Sequence, residues 1–232
     1  MRKSFLVAGV ATFALGLTGV AQAQDPKIDV TASVSPTKAG TKSKPRNTKF
    51  TLSVRNDPAS KTTAASIKVT IPSTLKLSTK GLKQCTASDD DIITSSGAAC
   101  KGSKAGTGSA HAQLLSNGLN IAFTVTPFVG KNQMLFYLQA TTGNKYVVHG
   151  KISGRTMKIT IGSDLQQPVP GLYAALVDLK TSLSMKKGKN FLFSSNGCKS
   201  KKHTVNVTVG YANNPGPPPK PSASGSADAK CS

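Results

Sequence analysis

Glutamate and tryptophan are absent from this 232-residue sequence, and aromatic residues make up only 5% of it. Without glutamate, the paired-carboxylate chemistry of glycoside hydrolysis has only aspartate to draw on, and a good helix former is missing. Arginine is scarce too. Beyond Arg2 there are only Arg46, Arg55 and Arg155, so bidentate reading of base edges lacks its usual side chain, and few aromatics are present to stack bases. Sequence-specific nucleic-acid recognition is therefore disfavoured. Acids are few, all nine of them aspartate against 30 lysines and arginines, for a formal charge of +21. Long apolar runs are confined to the amino terminus, which excludes a multispan transporter.

That one run, Phe5 to Val20, follows Arg2 and Lys3 and precedes the small-residue sequence Ala21-Gln22-Ala23. This order reads as a secretory signal peptide over residues 1–23, cut after Ala23. Gly9, Gly16 and Gly19 interrupt the run, and no cysteine sits at the cut to take a lipid. The expected mature species is exported, strongly cationic and without a membrane span.

Four cysteines, Cys85, Cys100, Cys198 and Cys231, are an even number in a chain read as exported, so disulfides are the default. Of the three pairings, the sequential one is expected: Cys85 with Cys100 around a polar loop, and Cys198 with Cys231 around the last strand and the tail. The shorter loop contributes roughly 3 kcal/mol in the chain-entropy picture. Zinc sites want closer cysteine spacing. Cys198 and His203 raise the idea of copper, but no methionine follows to serve as an axial ligand.

Between residues 24 and 212 the dominant signal is apolar alternation with a period of two, the mark of strands with one face inward. It runs through Ile28 to Val34, Phe50 to Val54, Ile67 to Ile71, Leu119 to Val125, Met157 to Ile161, Val177 to Leu183 and Val205 to Tyr211. Met134 to Leu138 is apolar on both faces, which places it as a central strand beside Tyr146 to Ile152 after a Gly143-Asn144 turn. The expected fold is all-β, a single domain built as an antiparallel two-sheet sandwich of immunoglobulin-like or jelly-roll-like type. Ser66 to Leu75 echoes Thr156 to Leu165, a likeness that strand chemistry explains without a duplication. Residues 213–232, rich in proline, glycine and serine and ending in Cys231, are expected to be an extended or disordered tail.

The stretch from Cys85-Thr86-Ala87 to Ala99-Cys100-Lys101-Gly102-Ser103-Lys104-Ala105-Gly106-Thr107-Gly108-Ser109-Ala110 resembles a pattern in uncharacterised exported proteins of actinobacteria. Ala32 to Lys42 is similar to their start. Those proteins typically carry proline where this chain has Lys101, and often a cysteine near the carboxyl end, as Cys231 is here. The resemblance covers most of the mature chain. It implies a secreted β domain and carries no activity with it.

Motifs for chemistry are missing. Gly102-Ser103-Lys104-Ala105-Gly106 sets serine one place too early for a nucleophile elbow, and Gly106-Thr107-Gly108 is too little for a phosphate loop. His111, His149 and His203 each sit in or beside an expected strand, and acid-base work would need the fold to bring a carboxylate such as Asp164 or Asp178 to one of them. Asp89-Asp90-Asp91 suits calcium by ligand type, but after Ser88 it reads better as the capped first turn of a short helix. No catalytic residue, metal site or cofactor is assigned, and the chain is expected not to be an enzyme.

Lysines fall in denser groups: Lys38, Lys42, Lys44, Arg46 and Lys49; Lys76, Lys80 and Lys83; and Lys186, Lys187, Lys189, Lys199, Lys201 and Lys202 around the last strands. The last six are the expected polyanion-binding residues, acting through counterion release on an anionic cell-wall or extracellular polymer. The leading functional reading is a secreted or envelope-associated binding protein without catalysis. One alternative is a secreted hydrolase or metal protein whose site is assembled from distant strands. Another is a sandwich holding an apolar ligand near Phe123, Phe136 and Tyr137.

Overall fold

The computed structural model describes residues 26–57, 62–213 and 220–232. The expected signal peptide and Pro217 to Pro219 lie outside the described residues. In chain order the elements begin with β1 (Ile28–Ser35), β2 (Arg46–Asn47), β3 (Lys49–Asn56), β4 (Ala64–Thr70) and β5 (Leu75–Leu77). Helix α1 (Asp89–Thr94) and a 3-10 segment (Ala98–Ser103) come next. A run of strands follows: β6 (Gly106–Leu114), β7 (Asn120–Gly130), β8 (Gln133–Ala140), β9 (Lys145–Ser153) and β10 (Thr156–Thr160). After the short helix α2 (Ser163–Gln166) the chain forms β11 (Ala174–Leu183), β12 (Lys186–Lys187), β13 (Asn190–Phe191), β14 (Phe193–Ser195), β15 (Lys202–Tyr211) and β16 (Ser222–Lys230).

The all-β expectation holds, with antiparallel pairing throughout. In place of two packed sheets, however, one eleven-stranded sheet in the order β1-β3-β11-β6-β7-β8-β9-β10-β4-β15-β16 curls until it is nearly a closed barrel. Alternation says which side chains face in, but a sandwich and a curled sheet share that pattern, so it could not choose between them. At the seam, Gly225 of β16 lies so close to Ile28 and Val30 of β1 that a Cβ would meet their side chains at 2.9–3.2 Å. Tyr211 on β15 donates to Asn56 Oδ1 on β3 (2.8 Å), and Asn56 Nδ2 donates to the Leu176 carbonyl (3.0 Å), which ties the two sides of the seam together. Burial pushes the Tyr211 phenol up to about 12.

The carboxyl-terminal expectation needs correcting. Ser222–Lys230 is a full strand paired with β15 from Gly210↔Ser222 to Lys202↔Lys230. Ala223, Gly225, Ala227 and Ala229 alternate with polar residues, but side chains this small make only a faint apolar rhythm, and composition alone pointed to disorder. Ala223 and Ala229 are nevertheless buried, and the strand is held by ladder hydrogen bonds and by Cys231.

Inward side chains from around the sheet form one apolar core. The echoing segments prove to be sheet neighbours, with Ile159↔Ile67 and Met157↔Val69 in register. In β6, Gly106 and Gly108 pass so close to β11 that a Cβ would collide with the carbonyl oxygens of Ser182 and Lys180. The glycine-rich start of β6 is thus a strand whose close pairing requires glycine. The expected alternation from Val177 to Leu183 is broken by a register shift between Leu176 and Asp178, which brings Leu176 and Leu179 to the same inner cavity.

The doubly apolar strand is confirmed as β8, flanked by β7 and β9. Its inner side chains join the main core, while Leu135 and Tyr137 meet Ile92, Phe128 and the Cys85–Cys100 disulfide in a second cluster on the outer wall. Helix α1 lies there. Ser88 caps it, accepting from the Asp91 amide (3.1 Å), while Asp91 Oδ2 accepts from the Ser88 amide (3.3 Å).

Candidate functional site

Strand register shows which connections share an end of the barrel. Ser35 pairs with Lys49, Leu183 with Phe50 and Gly106, and Lys202 with Lys230. The long connections 36–48, 71–105 and 184–201 therefore all emerge at one end, and with them come all three lysine groups.

Large side chains close this end from inside. The small sheet β2-β14-β5 lies across it, and Phe193 of β14 stacks on Phe50 of β3 with ring centroids 4.7 Å apart. Leu75, Leu183 and Leu192 are fully buried beside them.

On the outside, the basic side chains form two lobes. The β12–β13 hairpin presents Lys186, Lys187 and Lys189, with the Lys186 ammonium 5.9 Å from the Phe191 ring centroid. Asn190 Nδ2 donates to the Gly81 carbonyl (3.4 Å), joining the hairpin to the turn that carries Lys80 and Lys83. The second lobe holds Lys199, Lys201 and Lys202. Here the Cys231 amide donates to the Lys201 carbonyl (3.0 Å), the Ser232 amide to Thr37 (2.9 Å) and the Ala39 amide to Ser232 (2.7 Å). The carboxyl terminus is thereby sewn to the loop bearing Lys38, Lys42 and Lys44. Between the lobes, Arg46 and Lys76 sit on the strands either side of β14. All of these basic residues are exposed.

Within this group Lys202 is held differently. Its ammonium contacts Asp228 Oδ2 at 2.6 Å, and Thr204 donates to Asp228 Oδ1 at 2.6 Å. These two hydrogen bonds hold the Asp228 carboxyl below its ordinary range. Five of the six sequence-predicted lysines therefore face solvent without an acid among the described residues, and Lys202 does not.

Both expected disulfides are present, Cys85–Cys100 and Cys198–Cys231, with Cα separations of 5.1 and 5.8 Å. They point to an oxidising, non-cytoplasmic setting. Because Cys198 is bonded to Cys231, it offers no thiolate to a metal beside His203. His203 is fully buried; its Nδ1 bonds Thr74 Oγ1 at 2.8 Å and its Nε2 has no partner among the described residues. Burial lowers its pKa, because the desolvated ring disfavours the charged form.

The other two histidines do acquire carboxylates. His111 Nδ1 meets Asp178 at 2.9 and 3.0 Å, and His149 Nε2 meets Asp89 Oδ2 at 2.9 Å while its Nδ1 meets Gln133. Both pairs are on the solvent side, and neither histidine bonds a hydroxyl or thiol among the described residues. Ser103 is buried and donates to the Cys100 carbonyl at 2.8 Å, which is a structural role. No group of three or more metal-ligating side chains is assembled among the described residues, and no helix among them is long and apolar enough to cross a membrane.

The barrel's other end is different in kind. There an apolar cavity of about 90 Å³ opens among Ala64, Ala110, Ala112, Ala174, Phe123 and Phe136, with Ile161 and Leu165 towards the rim. Tyr137, grouped with the two phenylalanines from the sequence, faces the outer cluster instead. No family model matches this chain, and no curated protein matches it at a significant level.

Proposed function

We propose that this is an exported, non-catalytic binding protein that adheres through its basic end to an anionic polymer of the cell envelope or its surroundings. The observation that carries this reading is the convergence of three lysine groups, far apart in sequence, on one loop-built end where, among the described residues, Lys202 alone is paired with an acid. A one-sided field of this kind concentrates polyanions, and displaced counterions drive the binding. Lysine suits the task because a compact point charge accepts irregularly spaced phosphates or carboxylates without the fixed geometry of an arginine fork. The amino-terminal segment, the disulfides and the resemblance to exported actinobacterial proteins support the location.

The test is sedimentation of the mature protein with isolated cell envelopes and with defined polyphosphate and polyuronate, across a salt series. Binding should fall steeply with salt and drop at least tenfold on changing Lys186, Lys187, Lys189, Lys199 and Lys201 together to Gln. Absence of binding at low salt would overturn the reading.

A further inference from the structure

The open end of the barrel is built for something other than charge. Four positions on its inner wall, Ala64, Ala110, Ala112 and Ala174, carry alanine where the closed end carries phenylalanine and leucine. Two of them, Ala110 and Ala112, follow each other along the inward face of β6, opposite Phe123 and Ile121 of β7. The space they leave is lined by hydrocarbon alone, with no charged or hydrogen-bonding side chain among its walls. Water in such a space has no partners, and apolar cavities of roughly 150 Å³ stay dry and take up benzene-sized guests.

A second observation points the same way. Among the described residues, the exposed large hydrophobic side chains are Leu119, 55% exposed, and Val169, 46% exposed. Both are at this end. Leu119 lies in the β6–β7 turn, where the Leu114 amide donates to its carbonyl, and Val169 lies in the turn that leads into β11. A hydrogen bond from the Leu115 amide to the Tyr173 carbonyl (2.8 Å) joins the two turns. The sequence had placed Leu119 in the inward rhythm of a strand. It lies instead on the turn that follows β6, the strand that carries Ala110 and Ala112 of the cavity wall.

We infer that this end binds the alkyl chain of an amphiphile, with the chain terminus in the alanine-lined cavity and the following methylenes laid over Leu119 and Val169. A wall without polar groups selects a ligand segment without them. A cavity of about 90 Å³ holds only a chain end, so the ligand must continue outside, where the rim aliphatics meet it. This site is independent of the basic end.

The decisive experiment titrates the mature full-length chain with dansyl-undecylamide, an uncharged alkyl probe that the lysines do not attract. Saturable enhancement of dansyl fluorescence is expected. Dodecanol should displace the probe if free chains are the source, and phosphatidylcholine vesicles should displace it if the chain comes from a lipid. Ala110→Phe, which fills the cavity, should weaken binding at least tenfold. The double change Leu119→Ser and Val169→Ser, confined to exposed turns, should weaken it several-fold in a normally folded protein and decides the matter if Ala110→Phe does not fold. Substituting the five lysines should leave probe binding unchanged. No saturable enhancement, displacement by neither competitor, or wild-type affinity in the rim variant would overturn the inference.

Discussion

At one end of the barrel, long polar connections fold back over a plug of large side chains, and Phe50, Phe193, Leu183 and Leu192 are each no more than 1% exposed. At the other end, the connections leave an alanine-lined cavity and put aliphatic side chains into solvent. The charge follows the same division. The plugged end carries the lysine groups, while among the described residues the open end carries Asp57 and Asp164 alongside Lys27, Lys145 and Lys220, a sparse mixture of both signs. Mutual repulsion among many lysines is tolerable where the underlying segment is anchored by a packed plug and a disulfide. An apolar cavity, in contrast, needs only strand walls and small residues. The two surfaces can therefore change independently.

The largest expected effect tests the plug. Phe193→Ala removes the stacking partner of Phe50 and should destabilise the fold by about 3–5 kcal/mol, read from urea unfolding. A loss below about 1 kcal/mol would mean that the small sheet is not part of the cooperative core. Next, replacing Cys198 and Cys231 together by Ser reopens a loop with a sequence separation of 33. The chain-entropy estimate is about 3–4 kcal/mol. If β16 belongs to the barrel, amide exchange should accelerate along 222–230 first and leave β6 to β9, on the far side of the sheet, protected.

A third, smaller effect depends on pH. His203 has a folded pKa below its ordinary 6.5, so between those two values the unfolded chain binds a proton that the folded chain does not. Stability should thus fall as pH drops through 6.5 and level off below the folded pKa. His203→Gln should flatten that slope in Tm measured from pH 7 to pH 5. An unchanged slope would remove His203 as its source. The smallest effect belongs to the rim: Leu119→Ser with Val169→Ser should alter stability by no more than about 0.5 kcal/mol per site, because both side chains are exposed. A larger loss would show that these residues support the fold.

Much of this was legible along the chain. The rhythm of Phe50, Leu52 and Val54, or of Val205, Val207 and Val209, identified inward faces correctly because a strand's two faces are written in its own residues. Met134 to Leu138 showed itself as doubly buried by lacking any polar alternate. Ser88 with Asp91 announced the helix cap, and the order of the cysteines matched their pairing. Strands whose pairing rests on backbone rather than on side chains escaped notice. Gly106 to Leu114 and Ser222 to Lys230 contain the small residues that close approach demands, and small residues look like loop.

By itself the sequence determined the antiparallel β class, most inward positions and an abundance of lysine, since each depends on residue type and local spacing; for the cysteines it supplied an even number and an expected order, and the fold supplied the pairing. Tertiary structure alone decided that the strands curl into one nearly closed sheet, that lysines from 38 to 202 gather at a single end, that Lys202 is engaged by Asp228, and that four separated alanines frame one cavity. Those outcomes depend on which strands pair, several of them across more than a hundred residues, and in what register. Period-two alternation is blind to that choice, because every arrangement that buries the same faces satisfies it equally.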